Sequence, residues 1–315
     1  MAWGEMHALV TGGAGFIGSH LSAQLLELGA DVTVLDDCSA GDPTKVPTGV
    51  NFIEGCIAEY ATRSSALDGI DVVFHLAAIA SVPLCEANPE RSDLINRQAS
   101  LDILLEAGCP VIFASSAAIY GNPVSIPINE GHPIGPLGHY GEQKAAVDDV
   151  IRSLGVGSNP ATALRFFNVF GQGQDPSSQY SGVLSIFIDR AMGNRSLTIF
   201  GDGEQTRDFI HVSDVISALI TCAESLLEQG TLSPAHGEAF NICTGLPVTL
   251  NQVVEIIEDC IEGELECHHE DERDGDIKYS SGDSSKLQEQ FDWSPSISLS
   301  EGLLDLISDS NSPGA

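Results

Sequence analysis

The sequence predicts an α/β protein with a doubly wound parallel sheet and a smaller mixed lobe at its C-terminal end. Three observations carry this prediction. Apolar strand-like runs alternate with helical patterns through the first half of the chain, which is typical of a parallel sheet with helices on both faces. A glycine-rich turn joins the first strand to the first helix. The alternation stops after Asn168, where a segment rich in Gly, Gln, Ser and Pro begins.

The predicted strands show little alternation of apolar and polar residues, as expected where both faces of a sheet are buried. We expect a first domain over 1–168 with a returning segment at about 212–242, and a second, interleaved lobe over 169–315. The strands are predicted at 7–11, 31–35, 50–54, 71–76, 110–115 and 161–167, and the helices at 16–28, 92–107, 140–154, 183–192, 213–228 and 249–261.

Composition and charge exclude several classes of function. The formal net charge is -32, from 45 acidic and 13 basic residues, which excludes nucleic-acid binding through a basic surface. No apolar run reaches the length of a membrane span, and the chain enters its first strand without a signal peptide. We therefore expect a cytoplasmic protein. Because salt screens repulsion among so many carboxylates, the charge also predicts a protein from a high-salt cell.

The eight cysteines form no CxxC motif, and several lie within apolar runs, so we predict free thiols in a reducing compartment. The run Cys267-His268-His269 raises the alternative of a metal site. It lies in an acidic stretch with no matching second pair of ligands, and we predict no metal there.

The glycine-rich turn predicts a dinucleotide-binding site. Glycines at 12, 15 and 18 follow an apolar strand and precede a helix, which is the arrangement that cradles a pyrophosphate at a helix N-terminus. The alternative is a strand-to-helix turn that needs only small residues. Asp36 ends the second predicted strand, where a ribose-binding carboxylate is expected. A carboxylate repels a 2′-phosphate, and Asp37 follows it, so the sequence predicts NAD rather than NADP.

Two further segments predict proton-transfer chemistry. Tyr140 and Lys144 share one face of a predicted helix, and a nearby ammonium favours the phenolate of a tyrosine, whose pKa is ordinarily about 10. Ser115 and Ser116 end a predicted strand, at the edge of the sheet where ligands bind. The alternatives are an exposed helix with an incidental Tyr and Lys, and serines that merely cap a strand.

These motifs occur in the order found in the extended short-chain dehydrogenase/reductase family, which has a Rossmann fold. The sequence resembles the nucleotide-sugar 4-epimerases of that family from about residue 6 to about 305. The resemblance rests on Gly-Gly-Ala-Gly-Phe-Ile-Gly at 12–18, His75-Leu76-Ala77-Ala78, Ser115-Ser116 with Tyr120-Gly121, Tyr140 with Lys144, Arg165-Phe166-Phe167-Asn168 and Thr206-Arg207-Asp208-Phe209-Ile210.

The resemblance implies a catalytic set, an NAD site, a UDP-sugar site and a homodimer. The implied catalytic residues are Ser116, Tyr140 and Lys144. The implied NAD contacts are Gly12, Gly15, Phe16, Ile17, Asp36, Asp37, Cys56, Ile57, Leu76, Ala77, Ala78, Asn96, Tyr140, Lys144 and Phe167. The implied substrate contacts are Ser116, Asn168, Val183, Thr198, Phe200, Arg207, Arg273, Asp276 and Ser280, with the two arginines on the diphosphate.

The sequence departs from the family pattern at several positions. Cys56 stands where the family usually has an Asp that touches adenine, and Ala99-Ser100 replaces the usual glycine–threonine step. Ala117 and Ala118 occupy positions that hold acidic residues in the dehydratases and decarboxylases of the family. Because apolar side chains cannot move protons, we expect simple epimerisation at the sugar C4. The alternatives are a 4,6-dehydratase, a decarboxylase, a reductase and a non-catalytic NAD-binding protein.

The resemblance also implies a residue that selects the sugar. In the 4-epimerases, the position seven residues after the diphosphate-binding Arg lies beside the sugar C2 substituent. Counting from Arg273, that position is Ser280. A small side chain leaves room for an N-acetyl group, so we expect UDP-N-acetylglucosamine to be a substrate as well as UDP-glucose. The alternative is that Ser280 is a surface strand residue.

Overall fold

The computed structural model describes residues 2–174, 182–272 and 277–310 of the chain. The strands are β1 (His7–Thr11), β2 (Asp31–Asp36), β3 (Asn51–Glu54), β4 (Val72–His75), β5 (Val111–Ser116), β6 (Ala161–Phe166), β7 (Asn168–Phe170), β8 (Leu197–Phe200), β9 (Thr206–His211), β10 (Glu238–Ile242), β11 (Pro247–Thr249) and β12 (Cys267–Glu270). The α-helices are α1 (Phe16–Glu27), α2 (Tyr60–Ala66), α3 (Val82–Ala87), α4 (Pro89–Asp93), α5 (Ala99–Glu106), α6 (His139–Arg152), α7 (Val183–Met192), α8 (Val212–Gln229), α9 (Leu250–Ile261), α10 (Ser285–Phe291) and α11 (Leu299–Ser310).

The central sheet has seven strands in the order β10-β6-β5-β4-β1-β2-β3, and every neighbouring pair is parallel. The chain winds outward from β1 through β2 to β3, then returns to the other side of β1 with β4. The switch point therefore lies between β1 and β4, and a crevice opens at their carboxyl ends. One hydrophobic core covers each face of this sheet.

The C-terminal part carries two small sheets, one of three strands in the order β11-β9-β7 and one formed by β12 and β8. A third core, which includes Phe187, Ile199 and Val253, packs α7 and α9 against these strands. The prediction of a doubly wound parallel sheet with a smaller mixed C-terminal part is confirmed. The division at residue 168, with a return at about 212–242, stays a prediction.

The six predicted strand ranges agree with the observed ones to within one residue at each end. No ranges were predicted for the short strands β7, β8, β9, β11 and β12, and two elements around the central sheet also differ from the prediction. The single helix expected at 92–107 is interrupted by a π-helical turn, Leu94–Gln98, between α4 and α5. Strand β10 was not predicted from the sequence, although it pairs with β6 and completes the sheet. Its five residues carry a buried polar side chain, Asn241, which weakens the apolar signal.

All eight cysteines are free thiols, as predicted, and four of them are buried. The run Cys267-His268-His269, which raised the alternative of a metal site, lies in β12. His268 lies 3.6 Å from Glu266, and His269 is hydrogen-bonded to the Gly201 carbonyl. Among the described residues, no group of three or more His, Cys, Asp or Glu side chains is close enough to hold a metal. None of the helices in the described ranges combines the length and apolarity that a membrane crossing requires.

Candidate active site

The glycine-rich turn lies at the switch point, between β1 and the start of α1. Gly12 has a φ of +75°, and a Cβ there would lie 2.7 Å from the Ala77 backbone nitrogen. A Cβ at Gly18 would collide with the Gly12 carbonyl oxygen. These close approaches require glycine, because Gly12 lies against the loop after β4 and the first turn of α1 lies against Gly12. The amino end of α1, with its free N–H groups, therefore faces the crevice.

Asp36 ends β2 beside this turn, and its carboxylate is held by the backbone. One oxygen accepts a hydrogen bond from the Ala14 N–H at 3.0 Å and the other from the Cys38 N–H at 2.8 Å. Burial raises the pKa of Asp36, and these two N–H donors oppose the shift. A carboxylate has about four acceptor positions, so Asp36 retains capacity for the hydroxyls of a ribose.

A cavity of about 480 Å³ runs from Asp36 across the glycine turn to Tyr140. It brings together most of the residues predicted to contact NAD. Those that line it are Gly12, Gly15, Phe16, Ile17, Asp36, Asp37, Ile57, Leu76, Ala77, Ala78, Tyr140, Lys144 and Phe167, together with Ser116. Cys56 does not line it, although its neighbours Gly55 and Ile57 do. Asn96 is fully buried behind the wall of the cavity rather than on its surface.

Two cationic side chains at the mouth of the cavity were not predicted from the sequence. Lys45 Nζ donates to the Gly173 carbonyl at 2.7 Å, and Arg91 lies 3.9 Å from Asp37 in an exposed ion pair. Both side chains line the cavity. The scarcity of lysine, with four in the chain, was the available signal for Lys45. Arg91 offered none, because its position depends on how α4 packs.

Tyr140 and Lys144 lie one turn apart on α6 and both face the cavity. Lys144 is 2% exposed, and its Nζ donates to the Ala114 carbonyl of β5 at 2.7 Å. The same ammonium lies 5.9 Å from the centre of the Tyr140 ring and 4.7 Å from that of Phe113. The first turns of α6 are thereby fixed to the end of β5, which carries Ser116.

The pKa directions at this pair differ from the expectation. Burial raises the pKa of Tyr140 to about 12, and a hydrogen bond with Ser116 opposes the shift. Burial also lowers the pKa of Lys144 to about 7, with Cys85 acting in the opposite direction. The prediction that Lys144 brings the pKa of Tyr140 toward neutrality is therefore wrong for the protein alone, because burial is the largest cause and raises this pKa.

The two serines at the end of β5 have separate roles. Ser115 Oγ donates to Asp148 Oδ2 at 2.9 Å inside the protein, so this hydroxyl is structural. Ser116 Oγ accepts from the Ala118 N–H at 3.2 Å, a contact that does not use its own proton. Ser116 is therefore the serine whose hydroxyl is placed to act with Tyr140.

A buried ion pair holds α6 against β5 and β6. The Arg165 guanidinium donates to both oxygens of Asp148, at 2.9 and 2.6 Å, and to the Tyr120 hydroxyl at 2.8 Å. Arg165 is fully buried, and Asp148 lies one turn after Lys144 on α6. The arginine of the Arg-Phe-Phe-Asn motif is thus a structural residue that fixes α6 relative to Ser115.

Several of the predicted substrate residues lie around β9, outside the cavity. Asn168 Nδ2 donates to the Asp208 carbonyl at 3.0 Å. Arg207 Nη1 donates to the carbonyls of Thr206 and Ile277, at 2.8 and 2.6 Å. The Ser280 N–H donates to the Thr206 carbonyl at 3.2 Å.

The remaining substrate residues lie on other elements of the C-terminal part. Thr198 and Phe200 share the half-buried face of β8, and Val183 begins α7. Arg273 and Asp276 lie outside the described residues. The substrate roles of the whole set stay predictions.

The residues around the cavity fit NAD. The glycine turn and the amino end of α1 suit a diphosphate, and Asp36 suits a ribose. Apolar walls of Leu76, Ala77 and Ala78 lead to the Tyr140 side, where a flat ring has room. The cofactor surface and the proton-transfer groups thus share one cavity.

Comparison with known proteins agrees with this geometry. Residues 8–243 match the NAD dependent epimerase/dehydratase family. A UDP-glucose 4-epimerase of Azospirillum brasilense is 31% identical over 94% of this chain and 89% of its own length. The UDP-N-acetylglucosamine 4-epimerase of Methanobrevibacter ruminantium, solved with UDP-N-acetylmuramic acid, superposes with a TM-score of 0.89 at 34% identity, over 96% of this chain and 97% of that one. The Thermotoga maritima UDP-glucose 4-epimerase, solved with UDP-glucose, gives 0.88 at 34%, over 96% and 98%. The chain belongs to the NAD dependent epimerase/dehydratase family.

Proposed function

We propose that this protein interconverts UDP-hexoses by NAD-dependent epimerisation at the sugar C4. The proposal rests on one observation, which is that a cofactor-binding surface and a set of proton-transfer groups line the same cavity. The glycine turn and Asp36 form its cofactor end, and Ser116, Tyr140 and Lys144 lie at the other end. The relatives described above act on UDP-glucose or UDP-N-acetylglucosamine, which supports this substrate class.

The residues of the chain supply proton transfer and orientation. NAD, when bound in this cavity, would supply the hydride acceptor and donor for the sugar C4 and the positive charge of its oxidised ring. Tyr140 removes the proton of the C4 hydroxyl and later gives it back. Ser116 donates a hydrogen bond to the same sugar oxygen, and Lys144 holds the end of β5 and favours the phenolate when it is charged. The 4-keto sugar rotates between removal and return of the hydride. The hydride then returns to the opposite face of the sugar, which inverts C4.

The alternative reactions need acids or bases in addition to this set. A dehydratase must remove a second proton and expel water, and in the related enzymes the residues after the catalytic Ser/Thr do this. Here Ala117 and Ala118 follow Ser116 in a 3₁₀ turn, and neither side chain can transfer a proton. A non-catalytic NAD-binding protein has no need of Ser116, Tyr140 and Lys144 in one cavity.

A panel of UDP, dTDP and GDP sugars tests the assignment. Each sugar is incubated with the protein and NAD in molar KCl, and the products are separated by chromatography. We expect C4 epimers of the UDP sugars. A 4-keto-6-deoxy product or a pentose would assign a dehydratase or a decarboxylase, and tight NAD binding without turnover of any sugar would assign a binding protein.

We propose that Ser280 admits N-acetylated sugars. The segment around it is fixed, because the Gly282 N–H donates to Asp208 at 3.1 Å and the Ser281 carbonyl accepts from the Ile128 N–H at 2.8 Å. In an extended segment, residues 280 and 282 share one face. A Cβ at Gly282 would lie 2.7 Å from the ring of Phe167, which lines the cavity. Because Ser280 shares a face with Gly282, this arrangement supports a position for the Ser280 side chain near the end of the cavity where the sugar would bind.

Ser280→Tyr is therefore expected to abolish turnover of UDP-N-acetylglucosamine and to spare UDP-glucose, because the larger ring fills the space of the N-acetyl group. The measurement is kcat/KM for both sugars with the wild type and the variant, and Tyr279→Ser is the matched control for a register error of one residue. Loss of both activities in a folded variant, or no wild-type activity on the N-acetylated sugar, would contradict this role.

We also propose a homodimer. Leu94, Leu105 and Val150 lie on neighbouring helical segments and are 41%, 84% and 38% exposed. Leu94 and Leu105 are separated by three helical turns, so they share a face, and Val150 extends the apolar surface onto α6. A second copy of the chain would cover these side chains. Light scattering in molar KCl is expected to give twice the mass of the chain, and the mass of one chain would contradict the dimer.

We propose that the protein works in the cytoplasm of a high-salt cell, because its formal net charge of -32 gives strong self-repulsion in dilute buffer. The melting temperature is expected to rise steeply between low and molar KCl, since salt shortens the range of repulsion from about 30 Å at 0.01 M to about 3 Å at 1 M. Thermal unfolding in a KCl series measures this. A melting temperature that stays constant across the series would contradict the adaptation.

A further inference from the structure

We infer that Gln143 is a positioning residue, which couples the catalytic helix α6 to the cofactor wall through a hydrogen bond to Asn96. This role rests on the proposed function. Gln143 lies between Tyr140 and Lys144 in the sequence, on the side of α6 that faces the protein interior, and is 4% exposed. It does not line the cavity, and the sequence offered no signal for it.

The wall that Gln143 reaches is the segment after β4, from Ala77 to Ala80. Asn96 holds this segment at Ile79 with both ends of its side-chain amide. Its Oδ1 accepts from the Ile79 N–H at 2.8 Å, and its Nδ2 donates to the Ile79 carbonyl at 3.0 Å. The second Nδ2 proton goes to Gln143 Oε1 at 2.9 Å. Asn96 Nδ2 also lies 3.7 Å from Cys85 Sγ, and Gln143 is its hydrogen-bond partner on α6.

A second chain of hydrogen bonds holds the same wall at Ala77. The Ala77 N–H donates to Thr11 Oγ1 at 3.2 Å, and that hydroxyl lies 2.7 Å from His75 Nδ1. His75 Nε2 lies 2.8 Å from Ser100 Oγ, which in turn donates to the Asn96 carbonyl at 2.8 Å. Every group in this series of hydrogen bonds has a donor facing an acceptor when His75 is neutral with its proton on Nε2.

The cofactor wall is therefore tied to Asn96 at Ala77 and at Ile79, and Gln143 ties Asn96 to α6. Ala77 and Ala78 line the cofactor cavity, and Tyr140 lies three residues before Gln143 on the helix. A displacement of the wall relative to α6 changes the distance between a bound nicotinamide and the proton-transfer groups. We expect such a change to affect kcat and NAD binding, whereas the UDP end of the substrate would be held elsewhere.

Gln143→Met tests this role, because methionine keeps the length of the side chain and removes both of its polar groups. We expect the Kd for NAD, measured by calorimetry, to rise about tenfold and kcat to fall by a similar factor, as for the loss of the one buried hydrogen bond that reaches Asn96. KM for UDP-glucose is expected to stay within about twofold. An unchanged Kd and kcat in the folded variant would overturn the inference.

Ser92→Ala is the matched control. Gln143 Nε2 donates to Ser92 Oγ at 2.8 Å, and Ser92 is fully buried and does not line the cavity. This variant removes the other bond of the same amide and is expected to change the Kd for NAD by less than about twofold. If Ser92→Ala lowers NAD affinity as much as Gln143→Met does, the amide only packs α4 against α6, and the positioning role is overturned.

A double-mutant cycle identifies the path through Asn96. In the Asn96→Ala background, Gln143→Met is expected to add less than about a twofold further loss of NAD affinity. Equal losses in both backgrounds would overturn the coupling. The NAD measurements do not depend on turnover. If the wild type turns over no UDP-sugar but the cycle shows the expected non-additivity, the proposed function fails and the role of Gln143 stands.

Discussion

Tyr140→Phe is expected to reduce turnover of UDP-glucose by about 10²–10⁴-fold, the range that a general acid–base group supplies. The change removes one hydroxyl from a ring that lies against the cavity beside Lys144. The ring still packs, so we expect the melting temperature and the Kd for NAD to stay close to those of the wild type. Steady-state kinetics, calorimetry and thermal unfolding on the same preparation measure the three quantities.

Activity of Tyr140→Phe within a few-fold of the wild type would contradict its assignment as the base. Ser115→Ala is a useful control, because Ser115 lies in the same cavity wall while its hydroxyl bonds to Asp148. We expect that variant to lose stability and to keep most of its turnover, whereas Ser116→Ala loses turnover.

Lys144→Met is expected to lower turnover to a similar extent, about 10²–10⁴-fold, without lowering the melting temperature at pH 7. Burial lowers the pKa of Lys144 to about 7, so the folded protein disfavours its charged form. The unfolded lysine keeps its proton up to about pH 10.4. Between these values the unfolded state binds more protons, so Lys144 destabilises the wild type most at low pH, and this penalty disappears as the pH rises.

The difference in melting temperature between Lys144→Met and the wild type is therefore expected to favour the variant at pH 7 and to shrink toward pH 10. Subtracting the two curves cancels the groups that Lys144 does not influence, whereas His75 and Cys85, whose pKa values the ammonium lowers, contribute to the difference. Thermal unfolding at several pH values provides the measurement. If the variant melts below the wild type at pH 7 and at the same temperature as the wild type at pH 10, the ammonium stabilises the fold and the prediction is contradicted.

The sequence predicted the elements of the site that depend on local spacing. The glycine turn with Asp36, and the pair Tyr140 and Lys144, each lie within one strand–turn–helix unit or one helix, so their geometry follows from the backbone. Residues brought in by packing were not predicted. Arg91 reaches the cavity mouth because α4 packs there, and Gln143 reaches Asn96 across two helical segments.

Burial was the other property that spacing did not reveal. The spacing of Tyr140 and Lys144 placed two ionisable side chains on one helix face but did not show that both are buried. Burial set the direction of both pKa shifts. Cys56 shows the same limit, because its neighbours line the cavity and it does not. A residue next to a binding segment need not contact the ligand.

The interconversion of UDP-glucose and UDP-galactose is the decisive test of the proposed activity. The protein is incubated in molar KCl with NAD and each sugar separately, and the products are separated until the composition stops changing. We expect both reactions to reach the same mixture of the two sugars, with NAD neither consumed nor reduced at the end. No galactose from UDP-glucose, or a product altered at a carbon other than C4, would contradict it.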